Sequence, residues 1–145
     1  ALCSDYIVAA ESSYFLLAFV NIGLVPDGGS SLYIPARAGF TRAAEMALLG
    51  ERVSATDAER WNLINRVVAD DELRPTLEGL ATRFAEGPTR SFAGTKRQLN
   101  TWLFTKMEDQ LELEADIQQE MAATGDFVEG VMAFVEKRGA RFSGA

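Results

Sequence analysis

A chain of 145 residues with 48% hydrophobic and 10% aromatic content can bury the core of one globular domain. Its 14 basic and 21 acidic residues give a formal charge of −7, which disfavours nucleic acid as the main partner. Histidine is absent and Cys3 is the only cysteine, which excludes Ser-His and Cys-His nucleophile pairs, the usual zinc sets and any intrachain disulfide. Acid/base chemistry then falls to carboxylates, Lys, Tyr or Cys3. The longest apolar run, residues 15–20, has strand length and is far short of the roughly 18 residues of a membrane span. The N-terminus lacks the basic leader of a signal peptide and reads as the interior of a fold. A reducing compartment, the cytoplasm by default, is the expected location.

Taken in chain order, residues 5–10 and 12–20 are rich in β-branched and aromatic types and predict two strands. The pattern breaks at Gly23 into a loop, GLVPDGGSS, in which Pro26, Asp27 and two glycines mark a tight bend beside a helix start. A helix follows as far as Gly39, and a second from Thr41 ends at Gly50. Ser54 and Asp57 resemble a capping box, with Asp in place of the usual Glu, opening a short helix through Trp61. Residues 63–68 predict a brief extended segment. Beyond Asp70 strand formers thin out, and four helices are expected over about 71–86, 88–104, 106–123 and 127–138. In the third of these, Met107, Leu111, Ala115, Met121 and Ala122 form an apolar stripe, while Glu108, Asp109, Glu112, Glu114, Asp116 and Glu120 read as solvated acidic faces. Cys3 reads as a small buried hydrophobe, and Trp61 and Trp102 as core or subunit-interface residues.

The ordered segments ALCSD-YIVAAESSYF, NIGLVPDGGSS, ARAG-TRAAEMALLGERVSATDAERWNLINRVV and EGVMAFVEKRGARFSGA resemble the C-terminal half of the enoyl-CoA hydratase/isomerase, or crotonase, family. The resemblance spans essentially the whole chain. It implies an α/β fold of the ClpP/crotonase type, in which residues 1–68 finish a spiral core of ββα turns and residues 69–145 form a helical trimerisation region. It also implies an acyl-CoA thioester as substrate, with coenzyme A part of that substrate, no separate cofactor and no metal. The expected assembly is a homo-oligomer, trimer or hexamer. The family's first half, which supplies the oxyanion-hole amides and much of the CoA cleft, would precede Ala1, so a separate N-terminal half is a possible partner.

Hydratases of the family use two glutamates; the first would lie two places before Ala1, and the second aligns with Phe19, which neither accepts a proton nor orients water. The family's enoyl-CoA isomerases carry a carboxylate in a segment similar to GLVPDGG, and Asp27 matches it. The resemblance therefore implies a shift of a C=C bond from the Δ3 to the Δ2 position, with Asp27 as proton shuttle. From the residues alone, without the resemblance, Asp27 reads first as an ordinary helix N-cap and turn residue. Phe15, Phe19 and Leu24 are candidate substrate contacts, and a structural core role stands beside that for each. Phe134 and Lys137, in AFVEKR, match family residues that approach the CoA of a neighbouring subunit; a solvated helix-end lysine is the alternative for Lys137. A non-catalytic fragment that assembles with partner subunits, a hydratase, and an aryl-CoA dehalogenase using Asp27 as nucleophile remain open.

Overall fold

The strand-forming runs near the N-terminus find their partners 38 to 58 residues away, because a two- or three-residue strand is stable only once its backbone groups are paired. In the computed structural model, which describes every residue of Ala1–Ala145, β1 (Val8–Ala10) pairs in parallel with β4 (Arg66–Val68), setting Val8, Ala9 and Ala10 against Arg66, Val67 and Val68. Strand β2 (Tyr14–Phe15) pairs antiparallel with β3 (Val53–Ser54). Six helices complete the fold: α1 (Ser30–Leu49), α2 (Ala55–Arg60), α3 (Leu73–Glu86), α4 (Thr89–Leu103), α5 (Met107–Ala122) and α6 (Gly125–Glu136). None is long and apolar enough to cross a membrane.

Contacts group the chain into two units, each built from two separate stretches. The first unit, Ala1–Phe15 with Val53–Thr105, holds both strand pairs, and its core consists of Ile7, Ala9, Ala10, Val53, Ala55, Ala58, Leu63 and Ile64. Helix α2 begins at Ser54 as the sequence predicts: Ser54 Oγ accepts from Asp57 N at 3.0 Å, capping the helix, and donates to Asp57 Oδ2 at 2.7 Å, so the two side chains bond each other. Asn65 Oδ1 accepts from Ile7 N at 2.8 Å and fixes the entry to the parallel pair. Helix α3 packs on β1 and on α4, with Phe84 edge-on to both Tyr6 and Phe92. Cys3 is exposed, contrary to the sequence expectation; it lies in the N-terminal turns ahead of β1, outside the core. Trp102 is 82% exposed on α4.

The second unit, Leu16–Arg52 with Lys106–Ala145, has a core of Leu17, Ile34, Met46 and Ala133. Residues 16–20 do not continue β2 as predicted. With no neighbouring strand to pair with, the β-prone run instead enters a 3₁₀ turn over Phe19–Ile22, closed by Gly23 in the left-handed region at φ 73. Helix α6 crosses this turn backbone to backbone: a Cβ on Gly130 would lie 2.6 Å from the main chain of Ile22. Helix α1 is interrupted at Gly39 (φ 77, ψ 166), where the sequence predicts a helix end, and stops at a left-handed Gly50.

Candidate functional site

The loop before α1 turns through Pro26, Asp27, Gly28 and Gly29, and both glycines take left-handed φ values of 63 and 79. Helix α1 therefore starts from a glycine N-cap with no side chain to offer its first amides. Those amides are met from α5: Glu114 Oε2 accepts from Gly29 N at 2.7 Å, and Oε1 accepts from Ser31 N at 3.1 Å and from the Ser31 hydroxyl. A carboxylate at a helix N-terminus gains from both the amides and the helix dipole. Glu114 is only 4% exposed. This corrects its assignment to a solvated acidic face.

The inward face of α5 runs through Met107, Gln110, Glu114, Ile117, Gln118 and Met121, which are buried or half-buried. Leu111, Ala115 and Ala122, expected as part of an inward stripe, are exposed and line an open pocket of about 550 Å³ together with Asp27, Gly28, Glu114, Gln118 and Gln119. On α5 polarity does not mean exposure to solvent. Polar α5 residues instead point inward here, as the loop presents unpaired amides to them.

Asp27 is exposed at this pocket. Its carboxylate is not a helix cap: its one side-chain hydrogen bond comes from Gln118 Nε2 at 3.2 Å, while its backbone carbonyl accepts from Ser30 N and Ser30 Oγ. The same Gln118 accepts from Val25 N at 3.2 Å. Glu114 and Gln118 were missed in the sequence; the available signal was their spacing of one helical turn from each other and from Gln110.

The other expected site residues are carried by β2, by the 3₁₀ turn and the loop after it, and by the end of α6. Phe19 and Leu24 are half-buried on either side of Gly23, joined by Leu24 N donating to Phe19 O at 2.9 Å, and neither lines the Asp27 pocket. Phe15 is half-buried at the end of β2. Phe134, 78% exposed, and Lys137, also exposed, stand together at the last turn of α6. Lys137 adopts the left-handed conformation (φ 55) that turns the chain back along the helix. The returning tail is held by charge: Arg138 grips Glu129 with two bonds of 2.6 and 2.8 Å and reaches Glu136 at 2.6 Å, while Asp126 accepts from Ser143 N and Gly144 N. The Arg138 bond, helped by Arg141 N, holds the Glu129 carboxyl down at about 2. Amide donors from Ser143 and Gly144 likewise lower that of Asp126. No group of three or more Cys, Asp or Glu side chains comes together as a metal site.

The bend before α1 thus leaves one carboxylate, that of Asp27, exposed at a pocket walled by α5. The family model for enoyl-CoA hydratase/isomerase matches residues 1–145. A probable enoyl-CoA hydratase of Rhodobacter capsulatus is 40% identical over 99% of this chain and 56% of its own length. The 1,2-epoxyphenylacetyl-CoA isomerase of Escherichia coli K12 is 39% identical over 99% of the chain and 55% of that protein. The crystal structure of an enoyl-CoA hydratase from Mycobacterium avium subsp. paratuberculosis K-10 superposes with a TM-score of 0.94 at 39% identity, covering 99% of this chain and 58% of that one. The chain belongs to the enoyl-CoA hydratase/isomerase family and has the crotonase fold. It spans a little over half the length of these relatives.

Proposed function

We propose that the chain is part of an acyl-CoA isomerase that moves a C=C bond from the Δ3 to the Δ2 position of an enoyl-CoA, with Asp27 as the proton shuttle. The observation that carries this reading is that Glu114 caps α1, which leaves the Asp27 carboxylate exposed at a partly apolar pocket with one contact. Asp27 takes the proton from C2, and the C2–H electron pair moves into a thioester enolate conjugated with the C3=C4 bond. Returning the same proton to C4 places the double bond between C2 and C3 and restores the thioester carbonyl. One carboxylate is thus base and then acid, and neither water, metal nor redox cofactor takes part. Backbone amides aimed at the enolate oxygen, each worth roughly 3 kcal/mol in comparable oxyanion holes, are expected from the family's first half.

A hydratase route is disfavoured by Phe19, which aligns with the second hydratase glutamate. Phe134 and Lys137 are proposed to meet the CoA moiety, the ring against adenine and the ammonium against a phosphate. Their exposure leaves them available for that contact. The exposed apolar residues Val128, Met132 and Val135 on α6 support assembly as a trimer or hexamer.

The experiment is conversion of 3-enoyl-CoA to the conjugated 2-enoyl-CoA by the chain together with the family's first half, compared with Asp27→Asn. The isosteric change should lower kcat by at least about 100-fold, the lower part of the range for a general acid/base. Undiminished conversion by Asp27→Asn would end this assignment.

A further inference from the structure

Three polar side chains one turn apart on α5 address the same short segment: Gln110 Nε2 donates to Ser31 Oγ at 2.8 Å, Glu114 binds Gly29 and Ser31, and Gln118 binds Val25 and Asp27. Gln118 grips both sides of Pro26, the amide before it and the carboxylate after it. Proline has no N–H, the two following glycines have no side chains, and the Gly29 N–H is taken by Glu114, so the hydrogen bond that holds the Asp27 side chain comes from Gln118. With the start of α1 anchored by Glu114, the remaining freedom of the carboxylate lies in its own torsions, which at an exposed position populate several rotamers. The Gln118 amide selects among them by donating to Oδ2 and leaves Oδ1 without a protein partner.

We propose that Gln118 is a positioning residue for Asp27, holding Oδ2 so that Oδ1 is the oxygen presented to the substrate α-carbon. This rests on the isomerase reading above. Gln118 acts through Asp27 and moves no proton itself. Because small displacements of a reacting group cost up to about 100-fold in rate, loss of one of several constraints is expected to cost about 10-fold in kcat, with KM changed less than about 2-fold.

The test is a double-mutant cycle on the chain assembled with the family's first half, followed by single-turnover conversion of 3-enoyl-CoA. The variants are Gln118→Leu, Gln118→Glu, Asp27→Asn and the Asp27→Asn/Gln118→Leu pair, each checked for an unchanged circular dichroism spectrum. Gln118→Glu keeps an oxygen for Val25 N–H but removes the donor to Asp27, so it separates loop support from carboxylate positioning. Both Gln118 variants should be about 10-fold slower, and Gln118→Leu should cost nothing further once Asp27 is replaced. Full-rate turnover by Gln118→Glu, a loss expressed only in KM, or an additive loss in the double variant would each overturn the inference. Full activity in Asp27→Asn would instead overturn the isomerase reading, so the two failures are distinguishable.

Discussion

Replacing Glu114 by alanine removes a buried carboxylate that receives two backbone amides and one hydroxyl at the start of α1. Each amide left unpaired and buried costs about 1–3 kcal/mol, which brackets the loss at about 2–6 kcal/mol for the two. Gly29 is buried but Gly28 beside it is exposed, so water can reach part of the vacated space and the lower half of that range applies. The expected destabilisation is about 3 kcal/mol, a large share of the stability of a typical domain. Glu114→Gln keeps one acceptor oxygen and gives up the charge at the helix start, so it should cost about 1–2 kcal/mol. Urea titration followed by circular dichroism gives both values from the midpoint and slope. A Glu114→Ala loss below about 1 kcal/mol, or Gln and Ala equally damaging, would refute the view that this carboxylate is the N-terminal cap of α1.

The close approach of α6 to the 3₁₀ turn predicts that Gly130→Ala destabilises by about 1–3 kcal/mol through overpacking against Ile22, read in the same urea titration. Ser54→Ala should cost about 1 kcal/mol by removing the side-chain N-cap of α2. Because Glu129 is held at about 2, against 4.5 when unpaired, its contribution to docking the tail is complete above about pH 4.5 and is lost as pH falls towards 2. Amide exchange or limited proteolysis of residues 138–145 should therefore increase over that interval, and Arg138→Ala should weaken the pH dependence by removing the main partner of Glu129, the Arg141 amide and the Asp126 bonds remaining.

What the sequence revealed and what it hid divide along a physical line. Helix boundaries at Gly39 and Gly50, the Ser54–Asp57 cap and the run of C-terminal helices were legible because local chemistry determines them. The 3₁₀ turn at Phe19–Ile22 was not, since a β-prone run becomes a strand only where another strand accepts it, and the pairing with β3 ends at Phe15. Strand β3 went unseen for the same reason: two residues carry no periodicity, and only their pairing with Tyr14 and Phe15 defines them. Asp27 was visible as a singular carboxylate in a bend, whereas its neighbours Glu114 and Gln118 lie more than eighty residues further along the chain. Their acidic and polar surroundings on α5 match a solvated helix face, and only the unpaired amides of a distant loop make them interior.

The central claim, that Asp27 carries a proton from C2 to C4, is tested most directly by isotope transfer. A 3-enoyl-CoA deuterated at C2 is converted in ordinary water by the chain together with the family's first half, and deuterium at C4 of the product is measured by mass spectrometry. The account predicts deuterium at C4 above the solvent level for the unaltered protein, with transfer and turnover lost together in Asp27→Asn. Undiminished transfer from C2 to C4 in Asp27→Asn would contradict it.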